Sequence, residues 1–283
     1  METARVAALR GHVVTICDQG PRLGGLMLLG AIINSQLESL LKYMGKQIRR
    51  LPITFIKGKR VTAAFVEMTK PDVVVLAAGG AAPAADTQNV PGLLTSSDIC
   101  RIIQGRMSSK GNVVQRVLWY IGSLFIRYLY RPALLRWLLS FKFPFGNKTA
   151  ILGGGYAGCS LAYFLVRKGK KVVILEESPK LLSDMGKTTR WVLRKKLKES
   201  GVRMVTEAKV ERMLKNGIEI SHASLKEFLE SDSVVSAKPL QPNTQLATEL
   251  SGSAKEFYFI GDCNNPAKIK EAIASGFATG MNI

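Results

Sequence analysis

The stretch TAILGGGYAG, residues 149–158, carries the pattern that decides the fold. A short apolar run leads into Gly153, Gly155 and Gly158, which have the spacing G-x-G-x-x-G. In a βαβ unit the first glycine permits a tight turn, the second lets a pyrophosphate approach the backbone, and the third lets the helix pack closely on the strand. The phosphates then face the positive end of the helix. The stretch therefore predicts a strand, a phosphate-binding turn and a helix.

The residues that follow supply the other parts of such a unit. KVVIL, residues 171–175, has the β-branched composition of a buried strand, and it ends at Glu176. This is near the expected distance of ~20 residues from the loop, where a carboxylate accepts hydrogen bonds from a ribose hydroxyl. A carboxylate there would repel a 2′-phosphate, so the pattern favours NAD(H) over NADP(H). A chance glycine turn is the weaker interpretation, because strand, helix, strand and acid are all present.

The chain also contains an internal repeat. Residues 1–23 align with residues 159–181 without a gap, at a constant offset of 158. The matched pairs include Ala4 with Ala162, Gly11 with Gly169, Val14 with Val172, Ile16 with Ile174, Asp18 with Glu176, Pro21 with Pro179, and Leu23 with Leu181. The repeat predicts a second helix–Gly–strand–acid unit in which Asp18 occupies the position of Glu176.

The first copy of the repeat begins part-way through its unit. At the same offset, the counterpart of Gly158 would fall immediately before Met1, so the strand and the glycine loop have no counterpart. We therefore expect the chain to be a fragment cut inside a βαβ unit, with Met1 as an internal methionine. A natural protein that opens with a helix is the alternative.

Further segments continue the first unit. In GPRLGG, residues 20–25, Gly24 and Gly25 allow the backbone to pass close to a ligand. Residues 35–50 have the apolar spacing of an amphipathic helix. VVVLA, residues 73–77, is typical of a strand buried in a parallel sheet, and Gly79 follows it.

The C-terminal segment, residues 256–283, returns to this unit. It predicts a strand, a turn at Gly261 and Asp262, and a helix that begins near Ala267. Open α/β sheets place ligand-binding groups at the carboxyl ends of strands, which makes Asp262 a candidate ligand for a polyol chain. The alternative is an aspartate that caps its own helix.

GPRLGG, VVVLAAGG, GGGYAG and YFIGDC together resemble segments of the two-dinucleotide flavoprotein reductases of the pyridine nucleotide–disulfide oxidoreductase class. Within that class the chain is similar to the C-terminal half of the 2-enoate reductase and 2,4-dienoyl-CoA reductase family, the Old Yellow Enzyme-like NADH:flavin oxidoreductases. The resemblance extends over nearly the whole chain except about 108–147. It implies an α/β fold of two doubly wound Rossmann-like domains, with an NAD domain (148–240) inserted into an FAD domain (1–112 and 241–283).

The resemblance also implies cofactor roles. The FAD positions are Asp18, Gly24, Gly25, Gly79, Gly261 and Asp262, and the NAD(H) positions are Gly153, Gly155, Gly158 and Glu176. Such a half passes hydride from NADH to FAD, and no catalytic side chain is implied, because the cofactor rings carry the chemistry. In the family, FMN and an iron–sulfur cluster lie in an N-terminal barrel, outside this chain, that reduces an activated C=C bond.

Two substitutions depart from the family pattern at the nucleotide sites. Lys238 and Pro239 stand where the family usually has a glycine, and Ala78 stands where it commonly has a threonine. No C-x-x-C motif is present, which argues against a disulfide reductase.

The individual cysteines are not expected to be reactive. For Cys159 and Cys263, near predicted helix starts, buried packing is favoured over reactivity. The scattered cysteines predict no metal site and fit the reducing cytoplasm.

Residues 113–147 interrupt the pattern of two domains. They contain nine aromatic residues, and basic residues recur along them. The uncharged run Val117–Ile126 is far shorter than the ~20 residues of a membrane span. Two amphipathic helices broken at Pro132 fit best. They would pack on the missing barrel or a partner subunit, contact an acidic membrane surface, or form an entrance for an acyl chain.

The charge of the chain is strongly positive, at +19, and no Asp or Glu occurs from Ile99 to Leu175. Such a field favours anionic partners, among them nucleotide phosphates and a CoA thioester substrate. No nucleic-acid module is recognisable, so nucleic acid is not expected as a partner.

The intact enzyme is expected to be a homo-oligomer. A non-catalytic nucleotide-binding scaffold and a peripheral membrane module through 113–147 remain as alternative functions.

Overall fold

The structure is a computed structural model that describes residues 1–83, 93–95, 146–214, 216–223 and 225–283. The helix pair predicted within 113–147 and the contacts proposed for it lie outside these ranges, as does Cys100.

The first unit follows the alternation that its sequence predicts. Its elements are α1 (Glu2–Leu9), β1 (Val14–Asp18), α2 (Leu26–Ile33), α3 (Ser35–Arg50), β2 (Ile53–Lys57), α4 (Ala63–Thr69) and β3 (Val73–Leu76). β1 and β2 pair in parallel, with Val14 opposite Ile53. The prediction of a helix over 35–50 is confirmed. Its N-terminus is capped by the Asn34 side chain, which accepts a hydrogen bond from the Gln36 N–H at 3.0 Å.

The elements of the second unit are β4 (Leu93–Thr95), β5 (Lys148–Leu152), α5 (Tyr156–Val166), β6 (Lys171–Leu175), α6 (Lys187–Glu199), β7 (Arg203–Val205), β8 (Lys209–Leu214), β9 (Gly217–His222), β10 (Leu225–Glu230) and β11 (Ser233–Ser236). Five of these strands form a parallel sheet with the order β4-β11-β5-β6-β7. The strands β8, β9 and β10 form a separate three-stranded antiparallel sheet, which lies between β7 and β11 in the sequence. β5, α5 and β6 form the βαβ unit that the glycine-rich stretch predicts. β4 joins this sheet, although residues 1–112 were assigned to the first domain.

The chain then returns to the first unit. α7 (Gln245–Leu250), β12 (Glu256–Phe259), a 3₁₀ turn (Gly261–Cys263) and α8 (Ile269–Asn282) complete it. β12 pairs in parallel with β3, so Glu256 lies opposite Val73. The outgoing and returning segments meet in an antiparallel bridge, where Ala81 and Gln241 exchange two backbone hydrogen bonds of 2.8 Å.

The internal repeat is visible in the backbone. The Gly11 N–H donates to the Ala8 carbonyl at 3.1 Å, and the Gly169 N–H donates to the Val166 carbonyl at 3.0 Å. Both glycines have a positive φ, +94° and +76°, which a glycine adopts easily at the end of a helix. Because the paired donors and acceptors are separated by the offset found in the sequence, the two helix ends are equivalent.

The two units differ in how their sheets are completed. In the second unit β5 lies between β6 and β11, whereas the first unit has two separate two-stranded sheets, β1-β2 and β3-β12. By the repeat, β1 corresponds to β6. Among the residues that the structure describes, no strand takes the place beside β1 that β5 takes beside β6.

Helices hold the first unit together and attach it to the second. α1 and α8 approach so closely that a Cβ on Gly280 would lie 2.7 Å from the Val6 Cβ. From α2, the buried side chains of Leu28 and Ile32 belong to the hydrophobic core of the second unit, together with Ile151 and Leu165. The core is therefore largest beneath the glycine-rich loop, where it fixes α5.

We expect Gly280→Ala to lower the free energy of unfolding by up to about 2 kcal/mol. Overpacking costs about 1–3 kcal/mol, of which helix propensity recovers about 1 kcal/mol. Gly45→Ala is the matched control, because the added Cβ in α3 meets only the Arg49 guanidinium, at 3.6 Å. This variant should gain ~0.5–1 kcal/mol. Urea unfolding followed by circular dichroism measures both, and changes of the same sign would contradict the tight α1–α8 contact.

Candidate functional site

The glycine-rich loop at the end of β5 is closed by direct backbone contact. A Cβ on Gly158 would lie 2.0 Å from the Gly153 carbonyl oxygen, so only glycine allows α5 to pack on the loop. Gly153 has a φ of +109°, and a Cβ there would lie 2.8 Å from the Ala237 carbonyl oxygen. Both glycines are thus required by geometry, in the roles that the spacing predicts for the first and third positions.

The second glycine of the motif lies at the open side of the loop. Gly155 is the N-terminal cap residue of α5, and the nearest atoms to a Cβ built on it are those of the Asp184 carboxylate, from 3.7 Å. Both carboxylate oxygens of Asp184 accept from the Tyr156 N–H at 3.2 Å. The helix N-terminus therefore faces an anionic group, as its dipole favours.

Glu176 lies beside the same loop, at the end of β6. Its Oε2 accepts from the Gly154 N–H at 2.5 Å and its Oε1 from the Ser178 N–H at 2.9 Å. Burial alone would raise the pKa of Glu176, but these hydrogen bonds and the nearby Lys238 ammonium outweigh it and hold the pKa below its ordinary value. The carboxylate is therefore ionised at neutral pH, and the structure brings it to the loop as the sequence predicts.

The acid of the first unit has the same local structure. Asp18 Oδ1 accepts from the Gly20 N–H at 2.6 Å, which is the counterpart of the bond from the Ser178 N–H to Glu176. The two acids thus turn the chain in the same way after their strands. The repeat that the sequence contains extends to the side chain at this position.

The other expected FAD positions fall into two groups. Gly25, Gly79 and Gly261 have positive φ angles, and a Cβ on any of them would meet nothing within 4 Å. Gly24 is different, because its Cβ would lie 2.7 Å from the Leu41 Cδ1, so this glycine serves the packing of α3. The open backbone at the first group is suited to the close approach of a ligand.

Asp262 does not cap a helix. Its Oδ1 accepts from the Ala267 N–H at 3.1 Å and closes a loop, while α8 begins later, at Ile269, with Lys268 as its cap residue. The helix was expected to begin near Ala267, and this hydrogen bond explains the delay. Asp262 lies in the 3₁₀ turn Gly261–Cys263, which follows β12 after Ile260.

Several groups around the glycine loop lie outside the motifs of the sequence. Arg190 of α6 donates to the Leu182 and Met185 carbonyls, both at 2.9 Å. Lys268 of the first unit donates to the Asp184 carbonyl. Lys238, which replaces the expected glycine, forms an ion pair with Glu177 at 3.0 Å. Spacing along the chain gives no signal for these contacts, because tertiary packing alone brings the groups together.

Cys159 and Cys263 are packing residues. Both are fully buried. Burial raises the pKa of the Cys159 thiol to about 12, and it also raises the pKa of Cys263. Their thiols donate to backbone carbonyls, of Gly154 and Ile260 respectively. Neither thiol has the depressed pKa of a nucleophile.

The described residues offer neither a metal centre nor a membrane-spanning helix. No group of three or more His, Cys, Asp or Glu side chains is arranged to hold a metal ion. No helix in that part of the chain combines the length and the apolar character needed to cross a membrane.

A sequence profile described as pyridine nucleotide-disulphide oxidoreductase matches residues 1–276. The chain belongs to this family. Its relatives include bilirubin reductase of Mediterraneibacter gnavus, 24% identical over 98% of this chain and 38% of the relative. Cinnamate reductase of Clostridium sporogenes is 22% identical over 100% of this chain and 37% of the relative. A structure of 2-naphthoyl-CoA reductase in complex with 2-naphthoyl-CoA has a TM-score of 0.79 and 25% identity, over 100% of this chain and 38% of that chain.

These comparisons confirm the resemblance inferred from the motifs. The chain spans about two-fifths of the length of these relatives. The parallel α/β architecture and the assignment to a family of FAD- and NAD(P)H-dependent oxidoreductases follow from the match. The roles of individual residues stay predictions.

We expect native-state alkylation to distinguish the cysteines. In a Cys100→Ser variant treated with iodoacetamide at pH 7.5, the half-buried Cys17 should be modified, whereas Cys159 and Cys263 should react only after unfolding. Because the pKa of Cys159 is about 12, raising the pH to about 9 should not bring its thiol into reaction. Peptide mass spectrometry measures the sites, and rapid modification of native Cys159 would contradict the packing role.

Proposed function

We propose that this chain is the dinucleotide-binding portion of a flavin-dependent reductase. Residues 148–240 would bind NADH, and residues 1–112 with 241–283 would bind FAD. In the longer enzyme NADH would supply a hydride and FAD would accept it, for use by an FMN- and iron–sulfur-containing barrel that reduces an activated C=C bond. The observation that carries the proposal is the glycine loop closed on α5 with the Glu176 carboxylate fixed beside it.

The residues present fit NADH. The contact of Gly158 with Gly153 positions the N-terminus of α5, and Gly155 leaves the approach to it free of a side chain. A pyrophosphate would take its hydrogen bonds from this end of the helix. Glu176, ionised and held by two backbone N–H groups, would accept from an adenosine ribose hydroxyl. The contribution of the protein is binding and orientation, because the reacting groups belong to the cofactors.

The residues present fit only part of FAD. Asp18 is the last residue of β1, Asp262 lies in the turn that follows β12, and the open backbone at Gly25, Gly79 and Gly261 suits a ligand. However, residues 1–112 and 241–283 contain no G-x-G-x-x-G sequence, so the backbone N–H groups that would hold the pyrophosphate are not among them. FAD is therefore a cofactor of the longer enzyme rather than of this chain alone.

The substrate class is inferred from the relatives. One relative is named cinnamate reductase, and one similar structure contains 2-naphthoyl-CoA. Both names support reduction of an unsaturated acid or its CoA thioester by the longer enzyme. The net charge of +19 suits such anions.

We further propose that residues 113–147 contact the barrel or another subunit. The longer enzyme would be a cytoplasmic homo-oligomer. Its NAD domain would be inserted in its FAD domain.

The first prediction from this proposal concerns the choice of cofactor. The chain should bind NADH more tightly than NADPH, because the ionised Glu176 repels a 2′-phosphate. Glu176→Gln removes the charge but keeps an acceptor for the Gly154 N–H, and it should narrow the ratio of the two Kd values by about tenfold. Glu176→Ala should narrow it too.

Isothermal titration calorimetry on the 283-residue chain measures these Kd values. Glu199→Gln, at the far end of α6, is the control, since it removes one charge from the same unit. Equal Kd values of the unsubstituted chain for NADH and NADPH would contradict the role assigned to Glu176.

The second prediction concerns flavin retention. The chain should purify without flavin absorbance and bind FAD more weakly than NADH, because the FAD half has no glycine loop. By the internal repeat, residues 146–158 placed directly before Met1 would supply a strand and a loop in register. This fusion should increase FAD binding, whereas the same fusion with its three motif glycines replaced by alanine should not. A chain that purifies with stoichiometric FAD would refute the argument.

A further inference from the structure

We propose that Asp184 is a built-in competitor for the phosphate position of the glycine loop and thereby sets the affinity for dinucleotides. The inference rests on the proposed binding of NADH by residues 148–240. It assigns an affinity-setting role to a residue that the cofactor motifs do not include. Asp184 would act against binding rather than for it.

The Asp184 carboxylate lies at the N-terminus of α5. Both oxygens lie 3.2 Å from the Tyr156 nitrogen, in the first turn of α5. The carboxylate is also 3.7–3.9 Å from the place where Gly155 would carry a Cβ. The second glycine of the motif is the point at which a pyrophosphate approaches the backbone. The Asp184 carboxylate therefore lies at the N–H group and the glycine that the phosphates require.

Hydrogen bonds hold the backbone around Asp184 in place. Leu182 is fully buried, and its N–H donates to the Gly154 carbonyl at 2.8 Å. The Arg190 guanidinium donates to carbonyls on either side of Asp184, those of Leu182 and Met185. The backbone of residues 182–185 is thereby fixed against the loop. The exposed side chain of Asp184 can rotate away without disturbing these bonds.

A lysine of the first unit also binds the segment that carries Asp184. Lys268, the cap residue of α8, donates to the Asp184 carbonyl and lies 3.8 Å from the Met185 sulfur. The ammonium thus binds the main chain of the segment, while the carboxylate is directed to α5. Segments of both units therefore place Asp184 over the loop.

Two anions then compete for one helix end. The positive end of a helix stabilises a negative charge by about 0.3–1 kcal/mol, and by up to about 2 kcal/mol where the group is partly buried. A dinucleotide must displace the Asp184 carboxylate from this position, and the two negative charges repel each other nearby. The carboxylate consequently weakens the binding of any ligand that carries a pyrophosphate.

The test compares Asp184→Asn and Asp184→Ala with the unsubstituted chain. Calorimetry with NADH and with ADP-ribose should give Kd values that are about 2- to 5-fold lower for both variants, which is the range expected for an exposed charge at a helix end. ADP-ribose should show the effect as strongly as NADH, because the competition involves the pyrophosphate and not the nicotinamide. Glu199→Gln should leave both Kd values unchanged.

The possible results separate the inference from the proposed function. Unchanged or higher Kd values for both variants, with a lowered Tm, would show that Asp184 only caps α5 and would overturn the inference alone. If NADH and ADP-ribose bind to none of the chains, while circular dichroism shows them folded, the proposed NADH site is wrong and the inference falls with it.

Discussion

The contact between Gly158 and Gly153 is the constraint on which the arrangement of the candidate site depends. A helix can lie this close to the preceding loop only where the side chain is absent, since a Cβ would lie 2.0 Å from a carbonyl oxygen. Once α5 is fixed there, its N–H groups are directed to the end of the sheet, and the Gly154 N–H remains for the Glu176 carboxylate. The same packing buries Cys159, whose thiol donates to the Gly154 carbonyl. The candidate phosphate site, the position of the acid and the burial of the cysteine thus depend on the same close approach.

Much of the fold was predictable, because the repeat imposes the same backbone requirements twice. Gly11 and Gly169 end equivalent helices, and Asp18 and Glu176 make equivalent turns. The two copies of the repeat therefore align in structure as they do in sequence. The start of α8 was less predictable, since it depends on where the Asp262 side chain makes its hydrogen bond. Asp184 lies outside every motif, and the buried Leu182 together with Arg190 and Lys268 holds its segment at the loop. No periodicity reveals such a contact.

The two units depend on each other unequally. The second unit has a complete parallel sheet with helices packed on it, and its core includes Leu28 and Ile32 of the first unit. The described part of the first unit has two separate pairs of strands, joined through the close packing of α1 on α8. The first unit is therefore stabilised by the core of the second unit through α2. A substitution in the core beneath the glycine loop would destabilise both units.

The bridge between Ala81 and Gln241 has a mechanical consequence. The outgoing and returning segments are bonded to each other, and Gly80 is so close to Leu240 that a Cβ would lie 2.8 Å from the leucine Cβ. Two extended segments joined by a reciprocal pair of backbone hydrogen bonds resist sliding past each other, because sliding would break both bonds. The bridge therefore holds the point where the chain leaves the first unit in register with the point where it returns.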